Sequence, residues 1–315
     1  MKQILLAIFI IVVFGVAAVG YAYWKSARGV SVSSSEPKYL TSADRFIDIA
    51  GVRVRVREEG PTDGPVIILL HGFTFSLETW DGWAQELSKT HRVIRYDLLG
   101  HGLTGPDPQK RYSPQERAAF LEEVMDALAV NKAHIAGNSL GGLIAWRFAV
   151  NNPERVDRLI LIDAGAYPMN GVTDVPAPIP PAIEIFLRTA PEQGVRASMK
   201  FLYADSANIT DERVALARDM MRRKGNGDAF VEHLREFTLP DPNPDLARIS
   251  APVLVMWGRQ DKLIPVDHGL RMEAAIADAR LIIYDGAGHV PQEEISETTV
   301  RDAISFLNEA AGTHQ

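Results

Sequence analysis

The chain has 315 residues, of which 46% are apolar and 23% are charged, a balance typical of a folded globular protein with a sizeable core. Its 33 basic and 40 acidic residues give a net charge of −7, which argues against general nucleic-acid binding because phosphate recognition needs a surplus of Lys and Arg. The absence of cysteine excludes disulfide frameworks, thiolate metal sites, iron–sulfur clusters and cysteine nucleophiles.

The first predicted element is a hydrophobic helix near the N-terminus. Residues 4–24 form 21 consecutive uncharged positions, which as a helix would cover about 31 Å, the thickness of the hydrocarbon core of a bilayer. Tyr21, Tyr23 and Trp24 at its end suit the membrane interface. We predict a single-pass transmembrane anchor over residues 1–25, with a cleaved signal peptide as the alternative. For a bacterial protein this predicts an inner-membrane location with the folded domain on the periplasmic side.

The next segments read as a linker and an edge hairpin. Residues 26–42 are polar and lack apolar periodicity, which predicts a short linker. Residues 46–49 and 52–57 alternate with a period of two, which predicts two paired strands with one wet face. Arg53, Arg55 and Arg57 fall on that face and are predicted to be solvated.

Beyond residue 65 the pattern becomes an alternation of strands and helices. Continuous apolar runs predict buried strands at residues 66–70, 93–96, 134–136, 159–162, 253–257 and 281–284. Helical stretches are predicted at residues 80–87, 114–128, 140–150, 268–276 and 298–307, with Ser113 as an N-cap. This alternation is typical of the α/β class with a doubly wound, mostly parallel sheet.

One interval, between Asp163 and Ser250, interrupts the alternation. It contains no strand pattern, begins with a proline-rich segment at residues 175–181 and continues with helical stretches at 211–224 and 228–237. We therefore predict a core made of residues 43–163 and 250–315. A helical cap of residues 164–249 is predicted to be inserted over the carboxyl edge of the sheet, where ligands bind in such folds.

The strongest chemical signal is the sequence G-N-S-L-G-G at residues 137–142, between a predicted strand and a predicted helix. A G-x-S-x-G motif in this setting forms a sharp turn that exposes the serine in a strained conformation, and the glycines leave room for close approach of the chain. Ser139 is therefore the candidate nucleophile.

A serine nucleophile needs a base and a group that orients the base. His289 follows the last predicted strand and Asp261 follows the strand before it, so both lie at the same sheet edge as Ser139. The chain order Ser139, Asp261, His289 is that of a known hydrolytic triad. Asp163, at the end of another predicted strand, is the rival acid, with a structural role in a turn as its other interpretation.

Acyl transfer also needs two N–H donors for the oxyanion. The backbone amides of Leu140, just after the nucleophile, and Phe73, in the H-G-F turn after residues 66–70, are the candidates. His71 and Asp97 are predicted to be structural. The sequence has no HExxH motif and no aspartate-rich calcium loop, so we predict neither a metal nor another cofactor.

Taken together, the motifs H-G-F, D-x-x-G-x-G, G-N-S-L-G-G, W-G-R-Q-D and G-A-G-H resemble those of the α/β-hydrolase superfamily over about residues 46–307. Serine at position 139 differs from the aspartate that epoxide hydrolases and haloalkane dehalogenases use. Two subfamilies remain similar: membrane-anchored esterases, monoacylglycerol lipases and phospholipases, and the C–C bond hydrolases of meta-ring-fission products. Residues 137–142, 201–203 and 257–270 resemble the second, although Val290 stands where that subfamily usually has Trp.

The predicted anchor decides between these subfamilies in favour of the first, because a tether brings an enzyme to substrates concentrated in the bilayer. We therefore expect a membrane-anchored serine hydrolase that cleaves carboxylic esters of apolar or lipid substrates through an acyl-enzyme. C–C bond hydrolysis is the alternative, and a non-catalytic ligand receptor is the alternative of another class. The expected partners are the lipid or apolar ester, the membrane and, through Ala18 and Ala22, a second copy in a homodimer, but no nucleic acid.

Overall fold

A computed structural model describes residues 20, 21, 23 and 26–309. Within them one eight-stranded sheet forms the centre of the molecule. Its strands are β1 (Asp44–Ile49), β2 (Val52–Glu59), β3 (Val66–Leu70), β4 (Arg92–Tyr96), β5 (Ala133–Asn138), β6 (Val156–Ile162), β7 (Val253–Gly258) and β8 (Ala279–Tyr284). Their spatial order is β1-β2-β4-β3-β5-β6-β7-β8, and β2 runs antiparallel to both neighbours while the strands from β4 to β8 run parallel. The predicted mostly parallel sheet is confirmed.

Helices pack on both faces of this sheet and over its carboxyl edge. They are α1 (Val32–Tyr39), α2 (Asp81–Leu87), α3 (Pro114–Ala127), α4 (Leu140–Asn151), α5 (Pro181–Thr189), α6 (Glu192–Leu202), α7 (Asp211–Arg222), α8 (Asn226–Glu236), α9 (Asn243–Leu246), α10 (Asp267–Ala275), α11 (Pro291–Glu294) and α12 (Ser296–Leu307). The predicted helix N-cap at Ser113 is present. Its hydroxyl accepts the N–H of Glu116, and the Glu116 side chain accepts the N–H of Ser113.

Alternate side chains of the central strands enter two separate hydrophobic cores. In β3, Ile68 and Leu70 belong to the core beneath α3, α4 and α10, whereas Ile67 and Leu69 belong to the core beneath α2 and α12. Successive side chains of a strand point to opposite faces, so a strand covered on both faces must be apolar throughout. This is why the buried strands appear in the sequence as continuous apolar runs.

The interval predicted as a cap, residues 164–249, holds α5 to α9 and no strand. The apolar faces of α5 to α8 meet in a third hydrophobic cluster that includes Leu187, Val195, Met221, Phe230 and, from the loop after β8, Val290. This cluster holds the helices against the loops at the carboxyl edge of the sheet.

The predicted anchor falls on residues 1–25, which lie outside the described residues except for positions 20, 21 and 23. A spanning helix needs about 20 apolar residues, and no helix in the described part of the chain is long and apolar enough to cross a membrane. The prediction of a single-pass membrane protein with a periplasmic domain is therefore corrected to this: the described residues contain no membrane-spanning helix. The candidate dimer contact at Ala18 and Ala22 also lies outside the described residues.

Part of the predicted linker is helical and packs on the protein. Helix α1 lies within residues 26–42, and its last residues contact α7, where Lys38 Nζ lies 2.7 Å and Tyr39 Oη 2.6 Å from Asp219 Oδ2. Val30, just before α1, forms an isolated parallel bridge with Arg223. The segment before β1 therefore packs against the helices of the cap interval, residues 164–249.

The predicted solvated arginine face of β2 is correct for Arg53 and wrong for its two neighbours. Arg55 is 0% exposed and Arg57 is 5% exposed. Arg55 Nε lies 2.7 Å from Asp44 Oδ1 and Arg55 Nη2 lies 2.7 Å from Glu78 Oε1. Arg57 Nη2 lies 2.8 Å from Asp44 Oδ2. The 3-10 turn Leu77–Trp80 brings Glu78 over this face, so the arginines are buried in an ion network.

This network predicts a loss of stability in acid. Burial alone would raise the pKa of Asp44, but hydrogen bonds from Arg57 and Arg55 outweigh it and lower the pKa from 3.8 to about 2. A lowered folded-state pKa stabilises the fold above the unfolded pKa, and the contribution is lost as the pH falls from about 4 towards 2. Urea unfolding across this range should show a steeper loss for the wild type than for Asp44→Asn. Parallel curves for the two proteins would contradict the assignment.

Candidate active site

The nucleophile turn is built by close packing between β5 and α4. Ser139 joins them with φ 55° and ψ −112°, a backbone conformation that residues other than glycine seldom adopt. A Cβ on Gly137 would lie 2.3 Å from the carbonyl oxygen of Gly141, and a Cβ on Gly141 would lie 2.1 Å from that of Leu70. Only glycine fits at these two positions, so the motif forces Ser139 to the tip of a sharp turn.

The predicted base and acid are brought together. His289 Nδ1 and Asp261 Oδ2 are 2.7 Å apart, and both side chains are buried. The other carboxylate oxygen of Asp261 accepts the N–H groups of Leu263, at 2.7 Å, and Ile264, at 3.0 Å. Burial alone would raise the pKa of Asp261, but the charge of His289, its hydrogen bond and the Ile264 amide keep the pKa below its ordinary value. Asp261 is thus held as an anion facing the imidazole.

The loop that carries His289 is fixed by two residues that our sequence analysis did not single out. Asn138 Nδ2 donates to the carbonyl of His289 at 2.9 Å, and Glu294 Oε1 accepts the N–H of Gly288 at 2.7 Å. The N–H of His289 itself donates to the carbonyl of Leu202, the last residue of α6, at 2.7 Å. Asn138 occupies the first x position of G-x-S-x-G, and this position is the sequence signal that points to it. Nothing in the sequence around Glu294 indicated its contacts.

The rival acid, Asp163, lies beside this pair. Its side chain is 0% exposed, and Oδ1 accepts the N–H of Gly258 at 3.1 Å. One potential metal-ligand atom each from Asp163, Asp261 and His289 lies within 4.8 Å of the other two. Among the described residues this is the one cluster with enough such atoms to hold a metal ion.

The two candidate oxyanion donors border the nucleophile. Leu140 is the first residue of α4, so its N–H has no acceptor within the helix. Phe73 lines the same cavity as Ser139, and a Cβ on the adjacent Gly72 would lie 3.3 Å from Ser139 Cβ. The ring of Phe73 packs edge-on against Phe230 of α8, with centroids 5.3 Å apart. Phe73 therefore contacts both the cavity that Ser139 lines and a helix of the cap interval.

His71 and Asp97 have structural contacts, in line with their prediction. His71 is fully buried, its Nε2 accepts the N–H of Leu98 at 3.0 Å, and burial lowers its pKa. Asp97 accepts the N–H groups of Leu77, at 2.9 Å, and Leu103, at 2.7 Å. These bonds tie the loop after β4 to the loop that carries Phe73.

A cavity of about 290 Å³ opens above Ser139 and His289, between the sheet edge and the helices of the cap interval. Its walls are mainly Phe73, Phe75, Ile183, Phe186, Leu187, Phe201, Leu202, Leu234 and Leu263, with Thr74, Asn138 and Ser198 as further polar residues. Of the described residues that line it, none is Lys, Arg, Asp or Glu. The cavity suits an apolar group whose reacting carbonyl reaches Ser139.

Comparison with known proteins agrees with this geometry. Residues 65–294 match the family model for the alpha/beta hydrolase fold. A 2-hydroxy-6-oxononadienedioate/2-hydroxy-6-oxononatrienedioate hydrolase of Klebsiella pneumoniae subsp. pneumoniae is 29% identical over 88% of this chain and all of its own length. A meta-cleavage product hydrolase from Pseudomonas fluorescens is 27% identical, with a TM-score of 0.73 over 84% of this chain and 97% of its own.

A bacterial membrane phospholipase A has a TM-score of 0.73 over 98% of both chains, but at 22% identity this similarity supports the fold alone. The relatives named for ring-fission products overturn our prediction of a membrane-anchored lipid esterase and favour the alternative, C–C bond hydrolysis. Hydrolase activity, the coarser part of that prediction, is supported. With the match to the family model covering most of the sequence, the chain belongs to the alpha/beta hydrolase fold family.

Proposed function

We propose that the protein is a serine-dependent hydrolase that cleaves the C–C bond next to a ketone in a product of aromatic ring fission. The observation that carries the proposal is the similarity to the 2-hydroxy-6-oxononadienedioate hydrolase along that protein's whole length. Further support comes from the bonded pair His289 and Asp261, next to a cavity that Ser139 also lines. The predicted triad is part of this proposal.

The first step is attack of Ser139 Oγ on the ketone carbon. His289 takes the hydroxyl proton, and the backbone N–H groups of Phe73 and Leu140 hold the oxygen that becomes negative. Asp261 fixes the imidazole orientation and stabilises the imidazolium that forms. The hydrogen bond at 2.7 Å and the amides that hold Asp261 prepare this geometry before substrate binds.

Cleavage then needs a carbon leaving group that can carry an electron pair. In the diketo form of a ring-fission product, the pair from the broken bond passes along the remaining double bond to the second carbonyl oxygen and leaves as an enolate. His289 returns its proton to this fragment. Water, deprotonated by His289, then attacks the acyl-enzyme, releases the carboxylic acid and restores Ser139. One water is consumed for each bond broken.

The cavity favours a particular ketone end for the substrate. The Klebsiella pneumoniae relative is named for a dienedioate, a molecule with a carboxylate at each end. An anion enclosed among Phe186, Phe201 and Leu234 would lose its hydration without gaining a cationic partner, which is strongly unfavourable. We therefore propose that the ketone end of the natural substrate is an uncharged alkyl or aryl group.

A pair of dienones that share their dienoate end tests this preference. With a propyl group at the ketone end, the wild type should show a kcat/KM on the order of 10- to 100-fold higher than with a carboxyethyl group. Ile183 lies at the rim, 43% exposed, and tolerates a long polar side chain. Ile183→Arg should reduce the ratio by about tenfold, whereas its uncharged control, Ile183→Gln, should leave it nearly unchanged. A wild type that prefers the carboxyethyl compound would contradict the proposed apolar end.

A further inference from the structure

Asp163 is a buried acid that the proposed reaction does not use. It directly follows β6, its backbone adopts φ 43°, and its N–H donates to the carbonyl of Met256 at 3.0 Å. Oδ1 accepts the N–H of Gly258, while Oδ2 is buried and has no donor among the described residues. The titratable groups that face it are Asp261, His289 and Glu294.

Carboxylate oxygens of Asp163 and Asp261 lie within 4.8 Å of each other. Two carboxyl groups at this distance inside a protein cannot both be charged without a large cost in free energy. The charge belongs on Asp261, because two backbone N–H groups and His289 stabilise it there. Asp163 has one N–H donor and no arginine or lysine among its polar contacts. Burial, then the charge of Asp261, raise the pKa of Asp163 well above its ordinary value. The proton therefore stays on Asp163.

We propose that Asp163 is a positioning residue that, as a neutral carboxylic acid, donates a hydrogen bond to Asp261. Asp163 and Asp261, the acid pair, then carry one negative charge and one proton between them. The bond from Asp163 adds to the Leu263 and Ile264 amides in holding Asp261 in line with His289. The proposal rests on the proposed triad for its effect on rate, but the protonation state of the acid pair can be measured without any substrate.

Infrared difference spectroscopy tests the proton directly. The C=O stretch of a carboxylic acid is separate from the carboxylate bands, so the wild type minus Asp163→Asn at neutral pH should show a carboxylic-acid band. The subtraction separates Asp163 from any other protonated acid, including Glu294. Absence of the band would overturn the inference, whether or not the protein hydrolyses a dienone.

Kinetics with p-nitrophenyl acetate, which acylates a reactive serine whatever the natural substrate, test the positioning role. Asn tolerates positive φ, accepts from Gly258 and donates to Asp261. Asp163→Asn should therefore keep the acylation rate within about threefold and leave its pH profile unchanged. Asp163→Gly keeps the backbone conformation but removes the donor, and should lower the rate about tenfold or more.

The thermal midpoint of each variant separates an effect on rate from a loss of fold. A loss in Asp163→Asn as large as that in Asp163→Gly would mean that an ionised Asp163 is required, and would overturn the inference. Equal, wild-type rates for both variants would also overturn it, since the hydrogen bond would then have no role. A failure of dienone hydrolysis with a normal acylation rate would instead count against the proposed function alone.

Discussion

Replacement of Ser139 by Ala is expected to lower kcat for a ring-fission dienone by about 10,000-fold or more. The hydroxyl supplies the bond that forms with the ketone carbon, and the neighbouring oxyanion donors cannot replace it. Alanine is smaller than serine and introduces no new polar group at the turn, so the melting temperature should remain close to that of the wild type. The measurement is decay of the dienone absorbance with purified full-length protein.

The control is a second serine of the same cavity. Ser198, on α6, lines the cavity but lies on a different element from the nucleophile. Ser198→Ala should change kcat by less than about threefold. Residual wild-type activity in Ser139→Ala would contradict the nucleophile assignment.

Binding of the intact dienone to Ser139→Ala completes this test. The inactive variant should bind it about as tightly as the wild type binds it before turnover, because the cavity walls are unchanged. A wild type that binds the dienone without cleaving it would favour a receptor that has retained the hydrolase fold. Rapid hydrolysis of simple esters with no dienone cleavage would contradict C–C bond hydrolysis and leave the serine assignment intact.

The sheet and the contact between Asp261 and His289 can be predicted from the sequence because local geometry limits them strongly. Buried parallel strands must be apolar on both faces, so their positions appear as uninterrupted apolar runs. The turn around Ser139 needs glycine where a Cβ would collide with backbone, at Gly137 and Gly141. Because parallel strands end at one sheet edge, the sequence predicts that Asp261 and His289 lie close together, as the structure shows.

Other features depend on contacts between distant segments, which a local pattern does not contain. A period of two in β2 distinguishes its two faces but does not say what covers them. Glu78 and Asp97, from later loops, make one face a buried ion network around Arg55. Glu294 likewise acts through a backbone group of the His289 loop, the N–H of Gly288. Such contacts carry no residue-type signature.

The choice of substrate was misjudged for a different reason. The hydrophobic run at residues 4–24 favours a membrane-bound substrate, whereas the motif similarity at residues 257–270 favours C–C bond hydrolysis, and the run lies almost entirely outside the described residues. A tether constrains where a protein is located, whereas the bond that is cleaved depends on the cavity and the groups around Ser139. Much of the wall of that cavity comes from α5, α6 and α8, and helical periodicity alone does not assign the faces on which these helices meet.

Substitution of Arg55 by Met is expected to lower the free energy of unfolding by about 3–5 kcal/mol. The guanidinium contacts Asp44 and Glu78 at 2.7 Å and Asp97 at 3.3 Å, and is itself 0% exposed. Methionine fills much of the volume but leaves the buried carboxylates without their shared cation. Removing one member of such a network costs far more than replacing all of its members together, because the remaining charges stay buried.

Arg53→Met is the matched control on the same strand. Arg53 makes one ion pair with Glu36, but its side chain is 54% exposed, so its loss should cost less than about 1 kcal/mol. Arg55→Lys should resemble Arg55→Met more than the wild type, since one ammonium cannot reach three carboxylates in separate directions. Urea unfolding of the variants at neutral pH measures these differences. Equal stabilities for Arg53→Met and Arg55→Met would contradict the network.

Arg55→Met should also affect the active site. Asp97 bonds the Leu77 and Leu103 amides as well as Arg55, and the neighbouring Leu98 amide donates to His71 beside the Phe73 turn. Without Arg55, Asp97 is a buried anion with fewer partners, and the turn that presents the Phe73 amide loses part of its support. Arg55→Met should therefore lower kcat for the dienone with little change in KM, because the oxyanion donor acts mainly in the transition state. Arg53→Met, outside this chain of contacts, should leave both parameters unchanged.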